Sequence, residues 1–173
     1  VKGWVVNDDI AIADPRKVLV PTRANNVNFI SVFESIELFG IQSDGLLGLS
    51  PRKSNSGGQL TVHLLVDELK NDGVIDEAMF AFDLRSVEDP FATSKVTFGG
   101  YDDAIVRERA SPFRDFDASG NGIIHWMTQD SEQHWQTRLF YAQVTNKEGS
   151  FEIPISVKHV IYDTGTSITC LLY

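Results

Sequence analysis

Short runs of β-branched and aromatic residues, broken by Gly, Asp, Asn and Pro, dominate this chain from end to end. Such runs occur at 4–6, 10–13, 17–21, 28–33, 80–84, 95–100, 122–126, 139–144, 151–157 and 158–163. Their length and their turn-forming borders predict strands. One segment departs from this texture. Leu60, Leu64, Leu65 and Leu69 recur near helical spacing in a stretch free of proline, and Asn71-Asp72-Gly73 closes it with a C-terminal stop signal. The sequence therefore predicts a helix from about Leu60 to Lys70. Short helical turns are expected near Glu77, a polar loop over 86–94, and a turn-rich stretch at "RDFDASGNG". No internal repeat or low-complexity segment interrupts the pattern. The expected fold class is mostly β with one good helix.

At 173 residues, 42% of them hydrophobic and 23% charged, the chain is long enough for one globular core or for pieces of two. No apolar run approaches the ~20 residues of a membrane helix, so no membrane partner is expected. The opening "VKGWVVNDDI" lacks the basic and cleavage-site features of a signal peptide and begins mid-strand without Met. A processed or truncated chain is the expectation. The net charge of −9 and pI near 4.8 argue against nucleic acid or an anionic membrane surface as partner. They are compatible with an acidic working environment. Cys170 is the single cysteine, which rules out a disulfide within these residues and any multi-cysteine metal site.

Several segments invite a chemical reading that their details do not sustain. Asp115, Asp117, Ser119 and Gly120 mimic the start of a calcium loop. The twelfth position is Trp126, however, where a bidentate Glu is required, and Gly122 holds the eighth, where an apolar residue is usual; a polar hairpin turn is the expectation. His63, His125, His134 and His159 show no two-ligand spacing. The glycines of "SDGLLGLSP" (43–51) and "TFGGYD" (97–102) permit close backbone approach, and no lysine follows as in a phosphate loop. No Ser–His–Asp set follows from spacing. No metal or cofactor is expected.

Asp163 stands apart. The apolar run at 160–162 climbs into it, and Thr164, Gly165, Thr166 and Ser167 follow. A carboxylate at the tip of a strand is costly unless donors hold it. From the residues alone it is either a structural cap fed by those donors or a catalytic acid.

The order of these features resembles the pepsin-like aspartic proteases. Asp163-Thr164-Gly165-Thr166-Ser167 after an apolar strand resembles the family's active-site motif. "SDGLLGLSP" resembles the element beside the first catalytic loop, "KVTFGGYD" the Phe-Gly-Gly-apolar-Asp strand, and "VKGWVVNDDIAI" the strand leaving the flap. The helix with "NDGVIDEAMFAFDL" fits the stretch that follows, and Trp126 and Trp135 stand at the family's spacing. The resemblance implies a bilobal acid-protease fold, incomplete here: 1–84 as the second half of an N-terminal lobe, 85–94 as the inter-lobe connection, and 95–173 as the first part of a C-terminal lobe.

It also implies an aspartic endopeptidase that hydrolyses polypeptides through a water activated by two carboxylates sharing one proton. Asp163 resembles the second of these. Thr164, Gly165, Thr166 and Ser167 would support it, Leu46 resembles a wall of the substrate cleft, and His134 stands where the family often has a cleft-lining residue. The first catalytic Asp would belong to an N-terminal segment missing from these residues, because no second Asp-Thr-Gly or Asp-Ser-Gly occurs. Pepstatin-type inhibitors are the implied ligands, and a secretory, vacuolar, lysosomal or extracellular location is implied. Tyr162 departs from the small or aliphatic residue usual before the Asp, and the disulfide often found shortly before the second motif is missing. The alternative class is a catalytically inactive pepsin-like protein that binds peptides or serves a structural role.

Overall fold

A computed structural model describes residues 1–12, 22–36, 40, 43–51, 64–86, 88–89, 91, 93–109, 123–154 and 156–166. The architecture is mostly β. The chain divides into two compact units, Val1–Leu49 with Asn55–His125 and Ser50–Ser54 with Trp126–Tyr173.

In the first unit, β1 (Lys2–Ile12) and β2 (Thr22–Glu34) form a long antiparallel pair, centred on Val5↔Ile30 and Val6↔Phe29. The register slips between Asp8 and Ile10, where Asn25 and Asn26 of β2 face the single residue Asp9. Asn26 takes φ 55°, a left-handed conformation that Asn tolerates better than most residues. Its N–H donates to Asp9 Oδ1 at 3.1 Å, and Arg23 pairs with the other carboxylate oxygen. This bulge is built from polar residues that the sequence places at one point.

The helix α1 runs Leu65–Asn71, shorter at its start than the predicted Leu60. Leu64 is its N-cap, with extended backbone (φ −76°, ψ 130°), so the first turn begins one residue later; residues 60–63, with His63, lie outside the described residues. The predicted stop is correct. Gly73 takes φ 68°, its N–H donates to Lys70 C=O, and Val74 N–H donates to Leu69 C=O. Those two bonds make a Schellman ending. Leu65 and Leu69, one turn apart, bury against Ala24 and Val27 of β2, with Ile10, Ile12, Ile75 and Phe98 around them. Burial of a leucine side chain contributes roughly 1.5–3 kcal/mol.

Phe80–Asp83 (β3) and Lys95–Phe98 (β4) pair antiparallel, Phe80↔Phe98 through Asp83↔Lys95, and the predicted polar stretch 86–94 falls between them in the chain. A second helix, α2 (Asp103–Arg109), was not predicted. Asp102 starts it: its Oδ1 accepts the Ala104 N–H at 3.0 Å, and its Oδ2 accepts Lys95 Nζ at 3.1 Å. Arg85 ties α2 to the β3–β4 pair by gripping Glu108 with two nitrogens (2.6 and 3.2 Å) while Nε meets Asp83 at 2.7 Å. Near Glu77 the backbone bends without a helical turn. The predicted strands at 17–21, and the turn of the calcium-like loop over residues 115–122, lie outside the described residues. Residues 123–126 are described and carry no strand.

The second unit contains β5 (Gln136–Arg138), β6 (Ala142–Asn146), β7 (Gly149–Ile153) and β8 (His159–Ile161). β6 and β7 form a hairpin closed by Lys147 and Glu148, where Asn146 Oδ1 accepts the N–H groups of Glu148 and Gly149. Pro154 follows β7, and a residue without an N–H cannot extend the ladder. β5 pairs antiparallel with β8. The sequence did not announce β5, because Gln136-Thr137-Arg138 lacks the apolar alternation of a half-buried strand.

Candidate active site

The β5–β8 pair carries the chain toward Asp163. Gln136↔Ile161, Thr137↔Val160 and Arg138↔His159 are the paired positions, and the ladder extends one step further through Tyr162 N–H to Trp135 C=O at 2.8 Å. Tyr162, the departure noted before the Asp, is half exposed, and its hydroxyl lies 3.2 Å from Thr137 Oγ1. Thr137 is buried on β5, so this contact crosses between the strands beside the start of the turn.

At Asp163 the backbone leaves the strand and turns. The Gly165 N–H donates to Asp163 Oδ1 at 2.9 Å, the Thr166 hydroxyl donates to Oδ2 at 2.6 Å, and the Thr166 N–H donates to the Asp163 C=O at 3.2 Å. Each carboxylate oxygen thus has its own donor. A Cβ at Gly165 would come within 3.2 Å of Asp163 Oδ1, so a side chain there would press on that carboxylate oxygen. The Thr166 hydroxyl, then the Gly165 N–H, hold the Asp163 carboxyl below the usual carboxylate range, with a smaller contribution from the positive charge of His134. Asp163 is exposed, so a charged carboxylate is presented to solvent or ligand rather than buried as a strut.

The structure brings together Asp163, Gly165 and Thr166. Thr164 is exposed in the same turn, and Ser167 and Cys170 lie outside the described residues. His134 belongs to the segment leading into β5 in the same unit as Asp163. Its N–H donates to Ser131 Oγ at 3.2 Å and its C=O accepts from Gln129 Nε2 at 3.2 Å. Leu46 lies in the first unit, 73% exposed, in an irregular stretch where Ser43 Oγ donates to Gly45 C=O.

Sequence reasoning missed Asp130. Its Oδ1 accepts Gln136 Nε2 at 3.0 Å, and its Oδ2 lies 3.0 Å from His159 Nε2 and 3.6 Å from Arg138 Nε. The Gln136 amide, then the charges of His159 and Arg138, hold its carboxyl low. Only the unpredicted strand β5 could have revealed this cluster. Among the described residues no group of three His, Cys, Asp or Glu side chains is placed to hold a metal ion, and no helix is long and apolar enough to cross a membrane.

The family model described as "Eukaryotic aspartyl protease" matches residues 1–172. The chain belongs to that family. No curated protein and no solved structure matches it. The mostly-β architecture agrees with a pepsin-like aspartic protease fold, and the aspartyl protease match covers both compact units.

Proposed function

We propose that this chain is part of an acid-active aspartic endopeptidase in which Asp163 is one of two carboxylates sharing a proton across a substrate cleft. The observation that carries the proposal is the pair of donors on Asp163, one to each oxygen, on a carboxylate left exposed. Two carboxylates in close contact do not both ionise; one keeps a proton while the other takes one from water. Donors that favour the charged form bias Asp163 toward the ionised member, although the pair titrates as a unit. The ionised member deprotonates the attacking water, and the protonated one polarises the scissile carbonyl. The second carboxylate comes from an Asp-Thr-Gly or Asp-Ser-Gly motif that these 173 residues do not contain. Polypeptides are the substrates, with Leu46 and His134 as substrate-facing residues and pepstatin-type compounds as inhibitors. The enzyme works in the secretory pathway, in a vacuole or lysosome, or outside the cell.

The test uses the intact protein from its source. Peptide hydrolysis at pH 3–6, abolished by pepstatin and by Asp163→Asn and indifferent to chelators, is the expected result. Loss of activity with chelators alone would refute it. The single motif keeps one other reading in play, an inactive family member that binds peptides. Peptide binding without cleavage, by a native protein of 19.3 kDa, would establish that reading instead.

A further inference from the structure

The bonds inside the turn at Asp163 fix its carboxylate relative to the turn, but they do not fix the turn relative to the strands that carry it. Tyr162 supplies that second link. Its N–H donates to Trp135 C=O at 2.8 Å, and its hydroxyl lies 3.2 Å from Thr137 Oγ1. One residue thus reaches the neighbouring strand at two points. Register explains the reach. Thr137 pairs with Val160. Tyr162 stands two residues beyond Val160, and side chains two apart on a strand share a face. Positions diagonal across an antiparallel pair lie ~7–8 Å apart, a span that an aromatic side chain covers.

Both partners of the hydroxyl contact gain from it. Thr137 is buried, and a buried hydroxyl is costly unless it has a partner. Tyr162 is half exposed, so packing alone grips its ring loosely, and the hydroxyl pins the far end. Valine or alanine at 162 would keep the main-chain bond and lose the other. With main chain and side chain both tied, rotation of the chain is checked at the last residue before Asp163.

We propose that Tyr162 is a positioning residue for Asp163: its hydroxyl, held on Thr137, sets the direction in which the turn leaves the strand pair. This rests on Asp163 being catalytic as proposed above. Among the described residues the carboxylate takes its donors from Gly165 and Thr166. Tyr162 therefore acts through the backbone rather than by contact with the reacting atoms.

The experiment measures kcat and KM separately in the intact active protein for Tyr162→Phe, Thr137→Val, the double variant and Thr137→Ser. A misplacement of ~1 Å can cost about 100-fold in rate, so a fraction of that should lower kcat about tenfold in Tyr162→Phe and leave KM within about twofold. Thr137→Val should show the same loss and the double variant no further loss, because the two hydroxyls act as one link. Thr137→Ser, which keeps a hydroxyl, should restore kcat to near normal. Losses that multiply in the double variant overturn the proposal. So does a raised KM in Tyr162→Phe with Thr137→Val silent, which makes Tyr162 a substrate contact. A second readout separates this from failure of the proposed function. Residual dipolar couplings of the Gly165 and Thr166 N–H groups report the turn's direction relative to β5 and β8 whether or not peptides are cleaved. In Tyr162→Phe and Thr137→Val these couplings should change while those of the strands stay, which also shows that the variants fold. Unchanged couplings in the turn overturn the proposal even in an active enzyme. Changed couplings in a protein that cleaves no peptide support the anchor and count against the proposed activity instead.

Discussion

Asn25 reaches Asp72 twice, its backbone N–H donating to Oδ2 at 2.7 Å and its side-chain amide to the same oxygen at 3.2 Å. Asn25 lies in the bulge of β2, and Asp72 is the C-cap of α1. The irregular point of the hairpin thus grips the end of the helix whose leucines fill the core. Asp72→Ala should lower stability by about 1 kcal/mol, the usual net worth of such a bond. Asp72→Asn, which keeps an acceptor, should lose less. Thermal unfolding followed by circular dichroism compares the two, and equal losses would mean that this link is not what Asp72 contributes.

Leu69 is completely buried at the centre of the described core. Leu69→Ala should cost about 2–5 kcal/mol, the range for deleting a buried leucine side chain. Val74→Ala, at a position 39% exposed, should cost far less. Urea unfolding at fixed pH measures both.

Gly73 and Gly99 both have positive φ, at 68° and 82°, yet their surroundings differ. A Cβ at Gly73 meets nothing within 4 Å, whereas one at Gly99 would lie 2.7 Å from Ile75 Cβ. Gly73→Ala should carry only the conformational penalty of about 1 kcal/mol. Gly99→Ala adds displacement of Ile75 from the core and should destabilise distinctly more. A smaller loss at Gly99 than at Gly73 in thermal melts would contradict the packing described for Ile75.

Asp9, Asp102, Asp130 and Asp163 all have carboxyls held below the ordinary range. The leading causes are the Asn26 N–H, Lys95, the Gln136 amide and the Thr166 hydroxyl, in that order. A folded-state value below the unfolded one stabilises the fold above the unfolded value, about 3.9, and the gain is lost as pH falls through the lowered values. From these groups, stability should hold steady down to about pH 4 and decline below it. Thr166→Val should raise the Asp163 titration, while Thr166→Ser should leave it nearly in place, as read by 13C-aspartate NMR. Stability that rises on acidification below pH 4 would contradict the donor assignments.

What was legible in the sequence was local. The stop of α1 was written in Asn71-Asp72-Gly73, because a left-handed glycine after a helix needs no distant partner. The family was legible because the glycine-marked strands and the turn at Asp163 follow one another in the order that the resemblance calls for. β5 was not legible, since its polar residues gain their strand character only from pairing with β8. α2 escaped for a related reason. Asp102 is a good N-terminal cap, but "DAIVRER" is short, and Arg85, far away in sequence, holds it through Glu108.

Among the described residues, the donors to Asp163 come from its next three residues. Its immediate surroundings therefore travel as one short cassette, almost independent of what the rest of the chain becomes. A descendant could lose any chemistry of the family and still keep this turn intact, because the described bonds within it are local. Among relatives of this chain, the presence of the cassette is a record of ancestry. Whether a given relative cuts peptides has to be read from residues outside the turn.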